Sequence, residues 1–248
     1  MRISVMHTRP TEDIDLHAPR PVRWPVMLQD WSSLTFLHWP YQPEALQQFL
    51  PDGLAIDVFD DAAWLGLTPF QVVDLRLLGL PPIPWLSGFP ETNVRTYVRG
   101  PGGEPGVWFF TLEAANPLAV VGARLLYGLP YRRAEMKIES TEDLVEYRSQ
   151  RRDSADTYSR IMIRIGPPLP TSPLAAFLTA RFRLYTTIRG QLAFADVEHE
   201  PWPLRDAEVL RLDETLIRAC GARRRAIQPL AHFSPGVHVR VGPPKLTR

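Results

Sequence analysis

Lysine is nearly absent from this chain: of 28 Lys plus Arg among 248 residues, only Lys137 and Lys245 are lysines. Chemistry that needs a side-chain amine therefore has two residues at most to draw on. Cysteine is scarcer still, because Cys220 stands alone and no internal disulfide can form. The simplest expectation is a reducing compartment, the cytoplasm. Charge of one sign is not in excess, since 28 basic residues face 27 acidic ones for a net +1. No overall field draws the chain to nucleic acid or an acidic membrane. No apolar run reaches the roughly 18 residues of a spanning helix. The start, MRISVMHTRPTEDIDLHAPRP, has no apolar core of the kind a secretory signal needs. GxSxG, P-loop, GxGxxG and CxxC patterns are all missing, and the six histidines show no metal-ligand spacing. No metal and no cofactor are expected. The cluster ARRRA (222–226) reads as a solvated face rather than a nucleic-acid contact.

What the chain has in quantity is proline, 26 residues, about twice the usual share of roughly 5%. Proline ends helices and avoids central strands, so short elements and many loops are expected. Residues 1–21 read as a loose arm and 22–248 as a single domain without linker or repeat. SLTFLHW (33–39), LAIDVF (54–59), residues 62–77 and GVHVRV (236–241) are strand-like, and GPGGEPG (100–106) reads as a hairpin turn between RTYV and VWFFTL. RFRLYTTI and QLAFADVEH flank Arg189-Gly190 as a second hairpin. Helices are expected at PEALQQFL (43–50), after Ser172-Pro173 and at DETLIRACG (213–221). Another is expected from Asn116, as N-cap to Pro117, up to a stop at Gly128. The pattern predicts a β-rich α+β domain, an antiparallel closed barrel with a few short helices.

Candidate chemistry concentrates in ETNVRTYV (91–98). Strand alternation puts Glu91, Asn93, Arg95 and Tyr97 on one face and Thr92, Val94, Thr96 and Val98 on the other. Such a polar face either lines a wet pocket or meets bulk solvent, and alternation alone does not choose. In DVEHEPWP, His199 lies between Glu198 and Glu200; an imidazole can exchange protons near neutrality, yet a histidine at a Pro-flanked strand end is more often structural. His38, beside Trp39, reads as a packed histidine, and Cys220 as a buried, inert thiol.

LTFLHWP, the run from Leu50 to Asp57, AAWLGLTPF, FPETNVRTYV, GVWFFTLEAANPLAVVGAR, LPYRRAEM, VEHEPWPL and HFSPGVHV together resemble the YqjF-like proteins over Pro21 to Val241. ALQQFLPDGLAID, LEAANPLAVVGAR with the Pro-Tyr-Arg-Arg segment, and DVEHEPW resemble acetoacetate decarboxylase more faintly. The resemblance implies that superfamily's fold, a cone-like β-barrel with an internal pocket and flanking helices. The decarboxylase pattern carries a lysine pair after the helix, one of which forms a Schiff base beside a cationic neighbour, an effect for which this enzyme is the standard illustration. Here Tyr131 and Arg132 occupy that register, and neither can form an imine. The superfamily's pocket glutamate aligns with Glu91. Its arginine near the first strand falls at Trp39-Pro40, so His38 or Arg95 would substitute.

Two readings follow from the resemblance and the residues together. In one, the protein acts on a small organic or keto acid without a Schiff base, with Glu91 as acid/base and Arg95, Arg132, Tyr131, Tyr97, Asn93 and His38 around an anionic ligand. In the other, the same scaffold binds a small molecule without transforming it. Superfamily kinship also implies self-association.

Overall fold

The computed structural model describes residues 6–8, 14–77, 79 and 87–247. They form fourteen strands and four short helices. In chain order these are β1 (Met6–Thr8), β2 (Met27–Tyr41), α1 (Pro43–Gln47), β3 (Ala55–Phe59), β4 (Ala62–Leu77), β5 (Phe89–Arg99), β6 (Pro105–Ala114), α2 (Pro117–Tyr127) and β7 (Tyr131–Ser140). There follow β8 (Leu144–Arg151), β9 (Tyr158–Pro168), α3 (Pro173–Thr179), β10 (Arg183–Ile188), β11 (Gln191–His199), β12 (Arg205–Glu214), α4 (Leu216–Ala219), β13 (Leu230–Val241) and β14 (Lys245–Leu246). The β-rich α+β class expected from the sequence is what is observed. No helix among the described residues is long and apolar enough to cross a membrane.

Helix ends follow the local chemistry. The Asn116 side chain accepts from the Leu118 and Ala119 amides at 2.9 and 3.1 Å, and Pro117 opens α2. Gly128 closes it with φ 64°; a Cβ there would come within 2.4 Å of Thr187 O, so only glycine fits. Ser172 caps α3 through its hydroxyl to the Ala175 amide. Arg189 and Gly190 both have positive φ, 51° and 78°, and turn β10 tightly into β11. Two helices are shorter than expected: α1 stops at Gln47, and Asp213 and Glu214 belong to β12 rather than to α4. Residues 6–8 of the expected loose arm pair in parallel with β3; positions 1–5 and 9–13 lie outside the described residues.

The expectation of a purely antiparallel sheet needs correction. Most pairings are antiparallel, but β1 with β3, β6 with β7 and β6 with β10 are parallel. The reason for the β6–β7 case is α2: a helix between two strands carries the chain back, so the second strand starts at the same end as the first. Pairings β5–β6 and β11–β13 close the sheet on itself. One closed circuit runs β5–β4–β2–β13–β11–β10–β6 and back to β5. Strands β7, β8, β9 and β12 form a second lobe against the outside of that circuit.

Strands β2, β4 and β5 are the shared wall, which is why their burial is nearly continuous. One face, with Leu37, Trp39, Leu65, Leu67 and Val94, packs against Val145, Tyr147, Ile161 and Ile163 of the second lobe. The other face, with Phe36, Phe70 and Tyr97, looks into the closed circuit and meets Phe177, Val197 and Trp202.

One buried ion cluster ties the circuit together. Asp57 on β3 is fully buried and accepts from Arg99 Nε at 2.9 Å and Arg181 Nη1 at 2.7 Å. Arg181 also stacks over Phe177 at 4.1 Å and donates to Phe177 O. Replacing Asp57 with alanine leaves Arg181 buried without its carboxylate, so Asp57→Ala should cost about 3–5 kcal/mol in urea unfolding. A loss below about 1 kcal/mol would show that the cluster does not anchor the fold.

Candidate functional site

The closed circuit encloses a cavity of about 250 Å³, roofed by α2 and lined mostly by apolar side chains. Its polar wall is β5. Glu91, Asn93 and Arg95 alternate into the cavity, as strand geometry requires. Across the pairing they face Phe70, Thr68 and Gly66 of β4. Gly66 leaves room here: a Cβ would meet the His38 ring at 3.2 Å and Arg95 Cγ at 3.4 Å, so these side chains would have to shift by a few tenths of an ångström.

Glu91 is 5% exposed, and its Oε2 accepts a 2.9 Å hydrogen bond from the Tyr131 hydroxyl. Burial pushes its carboxyl up to about 8, and the Tyr131 bond offsets this only in part. At pH 7 Glu91 is therefore mostly protonated, and the oxygen not bonded to Tyr131 can donate into the cavity. Burial, then the neighbouring Glu91, hold the Tyr131 hydroxyl well above its ordinary range.

Arg95 is 9% exposed. Its Nη2 donates to Leu178 O at 3.3 Å, its guanidinium lies 5.4 Å from the Phe36 ring centre, and its Nε has no partner. No carboxylate of the described residues pairs with it. Among the described residues two other arginines line the cavity, and each has a carboxylate partner, Arg181 in Asp57, which it shares with Arg99, and Arg183 in Asp196, which it shares with Lys245. Asn93 Oδ1 and Thr68 Oγ1 are likewise buried without partners, one strand pair away. A concave apolar space with a few convergent, unsatisfied polar groups has the build of a ligand site.

Behind this wall lies a short relay. His38 Nε2 is 2.6 Å from the Tyr97 hydroxyl, which donates to Leu178 O at 2.9 Å, the carbonyl that also holds Arg95. The single hydroxyl proton is used on Leu178, so His38 Nε2 is the donor and Nδ1 has no partner. Burial, with help from Arg95, keeps this imidazole neutral by lowering its proton affinity well below the usual range.

Glu91, Asn93, Arg95 and Tyr131 line the cavity. Tyr97 and His38 are fully buried beside it, touching Arg95's anchor rather than the space itself. Arg132 does not converge with them. Its side chain is 49% exposed and lies 3.7 Å from Asp153 on the outer surface, because consecutive residues of β7 face opposite ways. Arg133 is also exposed. Residues not singled out from sequence also line the space: Gln29, Thr68, Arg181, Arg183, Trp202 and, left open there, His199. The i, i+2 spacing of Arg181 and Arg183 in RFRLY was the one readable signal among them. The His199 ring donates from Nδ1 to Glu200 O at 2.8 Å and packs on Phe182 and Trp202; burial lowers its proton affinity.

Both lysines are outside. Lys137 pairs with Glu139 at 2.7 Å and Lys245 with Asp196 at 3.0 Å, each with an exposed side chain. Among the described residues no group of three or more His, Cys, Asp or Glu could hold a metal ion.

Comparison with known proteins agrees with this architecture. The family DUF2071, described as an uncharacterized conserved protein, matches residues 28–238. The YqjF protein of Bacillus subtilis (strain 168), described as uncharacterized, is 38% identical over 212 residues, covering 84% of this chain and 87% of that protein. Among solved structures, acetoacetate decarboxylase from Legionella pneumophila superposes with a TM-score of 0.60 at 14% identity, over 93% of this chain and 92% of its own. An acetoacetate decarboxylase-like enzyme from Sphingomonas wittichii RW1 gives 0.64 at 13%, covering 93% and 96%. The enduracididine biosynthesis enzyme MppR, complexed with pyruvate, gives 0.62 at 12%, covering 90% of each chain. At these identities the likeness establishes the fold.

The buried carboxyl has a measurable signature. Between pH 4.5 and about 8 the folded protein keeps on Glu91 a proton that the unfolded chain has lost, so stability falls as pH rises through that window and levels off above it. At about 1.4 kcal/mol per pH unit the contribution is a few kcal/mol. Glu91→Gln should therefore gain stability relative to the parent from pH 5 to pH 9 in urea unfolding, while His38 and His199 act equally on both proteins. Parallel pH profiles would place Glu91 in water.

Proposed function

As the chain belongs to the DUF2071 family and carries this cavity, we propose that it binds a small organic acid, whose carboxylate sits on Arg95 while Glu91 exchanges a proton with the bound molecule. In this reading the closed circuit of strands is the cone-like barrel of the acetoacetate decarboxylase superfamily and the cavity is its internal pocket. The observation that carries it is the Arg95 guanidinium, buried against a cavity with no carboxylate to neutralise it. A buried cation without a counter-ion is costly, and an anionic ligand that accepts from Nε and Nη removes that cost. Glu91 supports the rest. Being protonated, it does not repel an incoming anion, and a proton affinity near neutrality suits a group that gives and takes protons at physiological pH. Tyr131 orients it.

Schiff-base chemistry has no place in this reading. The only two lysines of the chain are on the outer surface, and Tyr131, at the register of the decarboxylase lysine pair, offers a hydroxyl instead. Proton transfer at a carbon beside a carbonyl needs no imine if the carbonyl oxygen is stabilised by a donor, here the Asn93 amide, since Glu91 takes the proton and the Tyr131 hydroxyl is used on Glu91.

Calorimetry with 2-oxobutyrate should show binding that Arg95→Gln weakens about ten- to hundred-fold, the range for a charge-assisted hydrogen bond. Affinity should fall as pH rises through about 8, where Glu91 ionises and repels the ligand. In deuterated water, C3 protons of bound 2-oxobutyrate should exchange in the parent and not in Glu91→Gln. Binding without exchange would make the protein a carrier on this scaffold; binding indifferent to Arg95 would overturn the reading. Borohydride added with the keto acid should leave no reduced adduct, and an adduct on Lys137 would reinstate an imine.

A further inference from the structure

We infer that the acid taken by this cavity carries an apolar tail, and that its class is a straight-chain aliphatic monocarboxylate of about six to eight carbons; this rests on Arg95 as the carboxylate site. The unpaired cation of the cavity lies at one end, and beyond Glu91 the walls are mostly apolar, with Gln29 as an uncharged exception. Arg95, Asn93 and Thr68 cluster in the buried part of the β4–β5 wall. Toward the other end the same space is bounded by Phe70, Phe89, Leu112 and Leu129, with no charged group beyond Glu91. Its rim is apolar too. Leu118 and Leu126 of α2 and Leu77 at the end of β4 line the space and are 51%, 56% and 44% exposed. Exposed leucines at a pocket mouth cost free energy unless something apolar covers them. A short polar acid held at Arg95 would leave them and the aromatic walls in contact with water.

Size sets the scale of the tail. Some 250 Å³ accommodates about eight groups of the roughly 30 Å³ that a water molecule occupies in the liquid, and a methylene is similar in bulk. The carboxylate takes two or three of these volumes and the chain the remainder, with its last carbons reaching Leu118 and Leu126. The strand spacing agrees with this, because Arg95 and Glu91 are about 13 Å apart along β5. A tail leading from Arg95 toward α2 passes Glu91, so only an acid that also carries a carbonyl on its inner carbons would present Glu91 with a proton to move.

The test is a chain-length series in calorimetry at pH 7, from butyrate through hexanoate and octanoate to dodecanoate, on the parent, Arg95→Gln and Leu126→Gln. Each added methylene should tighten binding about three- to four-fold up to octanoate, with little further gain beyond it. Leu126→Gln, at an exposed position that does not threaten folding, should weaken octanoate more than butyrate. Arg95→Gln should weaken every member alike. If butyrate and octanoate bind within two-fold of each other and both depend on Arg95, the tail is wrong while the carboxylate site stands. If no member binds in an Arg95-dependent way, the carboxylate site itself is wrong.

Discussion

A guanidinium buried without a carboxylate organises this molecule's interior. Among the described residues three arginines reach the same cavity, and two of them have a carboxylate partner, Arg181 in Asp57 and Arg183 in Asp196. Arg95 has instead two aromatic faces, one backbone carbonyl and a space. Much of the surrounding structure serves to hold it in that condition. Gly66 yields room for its stem, and His38 and Tyr97 fix the Leu178 carbonyl that it donates to. Glu91, four residues along the strand, is kept uncharged by burial rather than being brought across to neutralise it. Were Glu91 and Arg95 to pair, both would be satisfied and the cavity would have no reason to bind an anion.

The division between Glu91 and Arg95 is made by the strand itself. Alternate residues of β5 share a face, so both enter one space, yet four residues keep them beyond direct reach of each other. The opposite face of the same wall is mostly apolar and packed on the second lobe, which makes the wall rigid from behind. Groups that must hold a ligand in one position are best mounted on such an element rather than on a loop.

Much of this was legible in the sequence where local chemistry decides structure. Asn116, Pro117 and Gly128 specified α2 almost to the residue, and ETNVRTYV specified a strand with one polar face. That this face looks inward could not be read from alternation, since solvent and a cavity accept the same residues; the resemblance to the decarboxylase superfamily turned the reading. Arg132 shows where register fails: its neighbour Tyr131 enters the cavity, and one step along an extended chain reverses the direction of the side chain. Strands β7 to β9 gave little signal because their outer faces are densely charged, as in YRRAEMKIES, and their apolar residues are too few per strand to stand out. Arg181, Arg183 and Trp202 reach the site through long-range pairing, which no local pattern encodes.

The closure of the strand circuit by β13 has a consequence for how the protein comes into being. Leu230–Val241 pairs with β2 along its whole length and with the end of β11, joining residues some two hundred positions apart in the chain. Until that last long strand is seated, the wall opposite Arg95 is missing and the cavity is an open trough. On a ribosome, then, a chain lacking these residues has the glutamate, the arginine and the roof helix but no enclosure. Enclosure of the cavity arrives in one step, when this strand is seated, and pairing over such sequence distances is intrinsically slow. A molecule that fits the cavity and is present at that moment would favour the closed form by mass action.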